Sequence, residues 1–314
     1  MNNRQTKNRN VLIIVGPTGV GKTGFSIFYA SHHNSEIVSA DSRQIYKYLD
    51  IGTAKPSPEE RGSIPHHFID IINPDQHYSA GIYGKQARVT IDQIIERKHE
   101  PLVVGGAGFY IRALVDGMFD LEAHDESLKA MLQQQVETEG LDALYSYLKG
   151  IDPIIAGRLH PNDRQRILRA IEVYKITGTP LSRLQSFESE PCNFNPVYVG
   201  LTMERSTLYR RIDRRVDSML KKGLIDEVKQ LRKMNYSENL SSLQTVGYQE
   251  VFQFLNGKLR LEEMISLIKK NTRNYAKRQL TWFNSNKNIS WFTIDKEQNY
   301  KDISKIIDTN LLLR

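Results

Sequence analysis

The chain has 314 residues, 39% hydrophobic and 25% charged, which is ordinary for a soluble globular protein and room for one large domain or one domain with an insertion. No run of about 18 apolar residues exists to span a membrane, and the polar N-terminus MNNRQTKNRN has no apolar core of a secretory signal, so a cytoplasmic protein is expected. The single cysteine, Cys192, excludes an internal disulfide and a cysteine-cluster metal site, and a net charge of +7 hints weakly at a polyanionic partner.

VLIIV (11–15) is an apolar, β-branched run and reads as a buried strand. A Gly-rich turn follows, then a helix from about Lys22 to His33. EIVSA (36–40) is the second strand, HHFIDII the third and PLVVGG (101–106) the fourth. Between the last two, Ile82, Ala87, Ile91 and Ile94 or Ile95 have helical spacing. Strands alternating with helices predict a parallel sheet covered on both faces. From about Glu122 to Glu190 only helices and turns are expected. Asn162 or Asp163 caps RQRILRAIEVYKITG, which ends at Gly178, with Ile167, Leu168, Ile171 and Tyr174 on one face. The strand PVYVGLTM (196–203) then resumes. Leu208, Ile212, Val216 and Met219 make a core stripe, a helix near 223–234 follows, and 261–283 is a long basic helix. SWFTI (290–294) is the last strand. The expected division is therefore a discontinuous core, 1–121 and 196–314, and a helical insertion, 122–195. Basic residues gather in the second half, as in Arg158, Arg164, Arg166, Arg169, Lys175 and Arg183 against Asp163 and Glu172. Trp282 and Trp291 are expected in the core.

GPTGVGKT (Gly16, Pro17, Thr18, Gly19, Val20, Gly21, Lys22, Thr23) satisfies G-x-x-x-x-G-K-[ST] directly after a strand and before a helix. Its backbone N–H groups converge on phosphate oxygens, Lys22 adds a point charge, and Thr23 offers a hydroxyl to magnesium. The motif specifies a phosphorylated ligand but not ATP, because a diphosphate monoester presents the same oxygens. An ATP hydrolase also needs an acid at the end of a neighbouring strand. PLVVGG ends in glycines, Asp70 lies inside its expected strand, and Asp41 is the better-placed acid. His66 and His67 point oppositely along an extended chain and make a poor metal pair. An ATP-dependent small-molecule or nucleotide kinase explains GPTGVGKT but leaves SADSRQIYK and the basic helices idle. A non-catalytic RNA-binding NTPase module is a third possibility.

GPTGVGKT, SADSRQIYK, DIGTAKP (50–56), PHHFID (65–70), GGAGFYIRAL, AGRLHPNDRQRILRAIEVY, LYRRIDRRVDSML, VGYQE and NYAKRQLTWF resemble, in order, the bacterial tRNA dimethylallyltransferases, also called tRNA isopentenyltransferases. The resemblance runs from about residue 11 to 284, and DSRQIYK followed by IGTAKP is its most specific part. It implies a P-loop kinase-like α/β fold with a helical insertion gripping the tRNA anticodon arm. It implies transfer of a dimethylallyl group from dimethylallyl diphosphate to N6 of an adenosine beside the anticodon, with magnesium as cofactor, in a chain expected to be monomeric. Asp41 is the implied base. Lys22, magnesium on Thr23, and an arginine of LYRRIDRRVD, Arg211 before Arg215, hold the leaving diphosphate. The implied tRNA contacts are Asp41, Ser42, Arg43, Gln44, Ala107, Gln165, Arg166, Ile167, Leu168, Arg169, Gly247, Tyr248, Lys277, Arg278 and Gln279. Two positions depart from the family pattern: Ala107 replaces a usual threonine, and Asn284 a frequent arginine. The zinc finger of eukaryotic relatives is excluded by the lone cysteine.

Overall fold

A computed structural model of the chain describes residues 9–118, 125–187, 190–294 and 299–312. The alternation of apolar runs and amphipathic segments becomes six strands and fourteen α-helices among these residues. They are β1 (Asn10–Val15), α1 (Lys22–His32), β2 (Ser35–Ala40), α2 (Pro58–Arg61), β3 (His66–His67), α3 (Ala80–Glu96), β4 (Glu100–Gly105) and α4 (Gly108–Asp116). Then come α5 (Glu126–Glu139), α6 (Leu141–Ile151), α7 (Pro153–Arg158), α8 (Arg164–Thr177) and α9 (Leu181–Phe187). The chain continues through β5 (Asn195–Thr202), α10 (Arg205–Lys221), α11 (Leu224–Lys233), α12 (Tyr248–Leu255), α13 (Leu261–Asn284), β6 (Ser290–Thr293) and α14 (Tyr300–Ile306), followed by a π-turn at Ile307–Leu311.

The sheet order is β3-β2-β4-β1-β5-β6, and every pairing is parallel. The α/β parallel sheet expected from the sequence is therefore present. Its central strands are apolar on both faces because helices cover both, and Val11, Ile13, Ile14, Val15 and Val38 have no exposed surface. The third strand is shorter than HHFIDII suggests. Phe68 and Asp70 adopt positive φ angles, 62° and 57°, which end the pairing after His67 and leave one isolated bridge from Tyr46 to Ile72. The two tryptophans also differ from expectation. Both are only half-buried; Trp282 lies against Phe109, and Trp291 fills the space over Gly200.

Two compact units divide the chain. One holds residues 1–78, 86–111 and 192–314; the other holds 79–85 and 112–191. The second has its own core, built from Leu132, Leu144, Leu148, Ile155, Ile167 and Ile171. Its α8 starts at Asp163, whose carboxylate accepts the Arg166 N–H at 3.3 Å, and stops at Gly178, in the left-handed conformation at φ 68°.

Candidate active site

The site lies in the first unit, at the C-terminal ends of the strands, where ligands bind open α/β sheets. The loop 16–21 leaves β1 through Gly16, where a Cβ would stand 2.5 Å from the Leu201 carbonyl oxygen. It enters α1 through Gly21 at φ 109°. Gly21 offers no side-chain cap and the first turn of α1 carries no acid. The helix's first N–H groups and its positive end are thereby left to an external anion.

Cations surround this loop. Lys22 Nζ folds back onto the carbonyls of Gly16 (2.8 Å) and Pro17 (3.0 Å). Withdrawal from water brings its ammonium down to about 8, with Asp41 opposing the fall and Arg215 adding to it. Helix α10 buries Leu208, Ile212, Val216 and Met219, and Ile212 packs against Gly19. That packing aims the flanking arginines at the loop. The Arg211 guanidinium comes within 3.5 Å of the point a Cβ on Gly21 would occupy. Arg215, one turn on, donates to the Thr53 carbonyl at 3.2 Å. Desolvation lowers the Arg215 pKa, and Asp41 counteracts it.

Opposite stands Asp41, directly after β2. Its Oδ1 accepts the N–H groups of Arg43 (2.8 Å) and Gln44 (3.3 Å), a turn that orients the carboxylate toward a cleft of about 890 Å3. The cleft collects Lys22, Thr23, Asp41, Arg211, Arg215 and Arg278, together with Ser42, Arg43, Gln44 and Gly247. Arg43 donates to the Ser241 carbonyl (2.8 Å), and the Gln44 amide makes long contacts, 3.4 Å each, to the carbonyls of Thr53 and Ala54.

The end of β4 has no room for an acid. A Cβ at Gly105 would sit 2.0 Å from the Ala40 carbonyl oxygen, and one at Gly106 would sit 2.2 Å from Gln279 Nε2. The strand beside the phosphate loop therefore cannot carry the carboxylate that an ATP hydrolase places there.

Several residues expected at a ligand surface make contacts within the frame, and others are exposed. Gln279 is buried; its Oε1 accepts the Thr18 N–H (2.8 Å) and its Nε2 donates to the Gly106 carbonyl (3.0 Å), so its amide staples the loop to β4. Tyr248 is fully buried and donates its hydroxyl to Glu227 at 2.6 Å. Ile167 is fully buried and Leu168 packs partly buried beside it, so these side chains build the second unit's core. Ala107 spends its N–H on the Ala40 carbonyl (3.1 Å). Gln165 and Arg166 are exposed on α8, Arg169 is held by Glu172 (2.8 Å), and Lys277 and Asn284 are exposed on α13.

Sequence reasoning missed the residues that hold DIGTAKP in place. The Glu227 carboxylate accepts the N–H groups of Asp50 (3.0 Å), Ile51 (2.7 Å) and Gly52 (3.1 Å). Gly52 is obligatory, because a Cβ would stand 2.4 Å from the Tyr248 ring. Lys55, nearly buried, bridges Asp50 and Asp70 at 2.5 Å each, which takes Asp70 out of contention as a catalytic acid. The only signal in the sequence is the motif itself: the partners lie far away along the chain.

No group of three or more His, Cys, Asp or Glu able to hold a metal exists among the described residues. Thr23 and Asp41 are among the few side-chain oxygen donors beside the loop. Such a sparse set fits magnesium that arrives with phosphate oxygens and keeps most of its waters, rather than an ion caged by protein. No described helix is long and apolar enough to cross a membrane.

The family model "IPP transferase" matches residues 44–286. The tRNA dimethylallyltransferase of Carboxydothermus hydrogenoformans is 46% identical over 303 residues, 96% of this chain and 97% of that one. That of Thermotoga neapolitana is 44% identical over 301 residues, 95% of this chain and 98% of its own. The crystal structure of the tRNA isopentenylpyrophosphate transferase of Bacillus halodurans superposes with a TM-score of 0.69 at 40% identity, covering 96% and 95% of the two chains. A eukaryotic dimethylallyltransferase crystallised acting on tRNA gives a TM-score of 0.79 at 30% identity, covering 96% of this chain and 80% of that one.

Proposed function

Since the chain belongs to the IPP transferase family, we propose that it transfers a dimethylallyl group from dimethylallyl diphosphate to N6 of the adenosine next to the anticodon of tRNA. Diphosphate is released. The observation that carries this reading is the pairing of a phosphate loop ringed by Lys22, Arg211 and Arg215 with a carboxylate, Asp41, held across the cleft.

The N6 lone pair is delocalised into the adenine ring, so N6 is a weak nucleophile. As it bonds to the allylic carbon, Asp41 takes its proton. The C–O bond to diphosphate breaks and its electron pair leaves with the phosphate oxygens. Negative charge grows there, and the loop N–H groups, Lys22, Arg211 and Arg215 already face it. Thr23 would hold magnesium, which would supply further charge neutralisation. Gly105 and Gly106 exclude the acid of an ATP-hydrolysing site, which disfavours the kinase alternative.

The adenosine must leave the stacked loop to reach N6, at a cost of a few kcal/mol. Ser42, Arg43 and Gln44 offer groups to read it, and Arg278 and Lys277 offer cations for the backbone. Gln165, Arg166 and Arg169 give the helical unit a basic edge suited to the anticodon arm. The protein acts in the cytoplasm as a monomer. Incubation with unmodified tRNA and labelled dimethylallyl diphosphate tests the reading. Label is expected on adenosine N6; phosphate transfer from ATP to a small molecule, without labelled tRNA, would replace it with the kinase reading.

A further inference from the structure

The C-terminal segment beyond the family match returns to the phosphate loop. Helix α14 begins at Tyr300, whose ring is wedged edge-on to Phe25 (centroids 5.3 Å apart) and tilted on Phe28 (5.7 Å), both on α1. This directs its hydroxyl across the start of α1. The oxygen lies 3.1 Å from the point a Cβ on Gly24 would take and 3.6 Å from the equivalent point on Gly21. Arg211 Nη2 lies 3.5 Å from that same point on Gly21. The phenol and the guanidinium thus flank the same point at the rim of the loop, both lining the cleft.

The segment is anchored, so the placement is not incidental. Asp308 accepts the Tyr29 hydroxyl (2.7 Å) and pairs with His33 Nε2 (3.0 Å), and the Tyr29 and His33 rings stack 3.8 Å apart. Asn10, at the start of β1, donates to the Leu312 carbonyl (2.7 Å). Both anchors tie the segment to the two elements that carry the loop.

We infer that the Tyr300 hydroxyl is a diphosphate-binding group, donating a hydrogen bond to an outer oxygen of the leaving diphosphate beside Arg211. The inference rests on the proposed transferase reading. It assigns Tyr300 no proton transfer; the phenol keeps its hydrogen while the C–O bond breaks. A neutral donor to an anionic oxygen is worth roughly a tenfold change in affinity. It also bears on Gly24, since a Cβ there would stand 3.1 Å from the phenol oxygen.

The test compares the full chain with Tyr300→Phe, which keeps the ring contacts and removes the hydroxyl. Affinity for magnesium diphosphate is measured by calorimetry and turnover by the tRNA assay. The variant is expected to bind diphosphate roughly tenfold more weakly and to turn over correspondingly slowly, with tRNA affinity unchanged. Equal diphosphate affinity in both proteins, with the wild type active, overturns the tyrosine assignment alone. A wild type that binds no diphosphate overturns the transferase reading with it. Should Tyr300→Phe unfold, fluorotyrosine incorporated for Tyr300 reports without removing the hydroxyl. Its fluorine resonance is expected to shift on saturation with diphosphate, and a resonance that stays put overturns the assignment.

Discussion

Strand β2 carries a charged site at each end, and the two are built on opposite plans. At its start, Glu36 is buried and saturated. It receives Arg97 Nη2 (2.8 Å), His67 Nε2 (2.7 Å) and His99 Nδ1 (2.8 Å), a carboxylate matched entirely by its own protein. Burial alone would raise its pKa, but the bonds from Arg97 and His67 prevail and hold it at about 2. Just past the other end, Asp41 faces a surplus of cations. Lys22 is turned onto its own loop's carbonyls and Arg211 stands over bare glycine. The proposed reading has a polyanionic ligand complete the charge that is left unbalanced there.

Asp41→Asn should break the comparison most severely. It keeps the turn to Arg43 and Gln44 but cannot take a proton, and turnover should fall by about 10²–10⁴-fold with tRNA binding retained. Turnover within a few-fold of wild type would show that another group is the base.

Arg211→Ala should follow, with a loss of about 10²-fold in turnover exceeding its loss in ground-state binding, because the charge it meets grows during C–O cleavage. Arg215→Ala serves as the partner measurement. If Arg215→Ala is the more damaging and Arg211→Ala is near wild type, the leading cation is Arg215. If both weaken only tRNA binding, α10 is an RNA surface.

Glu36→Gln sharpens the contrast from the other side. It should cost about 1–2 kcal/mol in stability, since the buried carboxylate gives up its charge-assisted bonds from the more exposed Arg97, His67 and His99, yet leave turnover of the folded protein intact. The pH dependence has a definite sign. Glu36 is depressed on folding, so its contribution is full above the ordinary carboxylate value of 4.5 and disappears as pH falls toward about 2. Urea midpoints measured across that window should converge for wild type and Glu36→Gln; a constant gap would mean the cluster is not ionic.

Much of this architecture is legible in the amino-acid sequence. The phosphate loop, Asp41 and the two arginines carry local signals: a spaced motif after a strand, an acid closing a β-branched run, cations flanking an apolar stripe. Strands β1 and β4 are equally plain, because strands buried on both faces are near-continuous apolar runs; β2, β5 and the partly exposed edge strand β6 show as shorter β-branched or aromatic runs. What the sequence hides is long-range. Glu227 and Tyr248 hold DIGTAKP from more than 170 positions away, and no periodicity announces it. Gln279 sits in a basic helix whose composition points outward, though its register on α13 turns it inward to the loop. Helices α12 and α14 are eight and seven residues long, too short for an amphipathic pattern to declare itself, and Tyr300 is hidden with the second.

On the proposed reading, the unbalanced charge beyond β2 is reserved for an allylic diphosphate. Thermal stabilisation of the unmutated chain by dimethylallyl diphosphate with magnesium, against ATP with magnesium at equal concentration, tests it most directly. A ligand that binds only the folded state at a hundredfold excess over its dissociation constant adds about 2.7 kcal/mol. Clear protection by the allylic diphosphate and markedly less by ATP is expected. Equal or greater protection by ATP would contradict it.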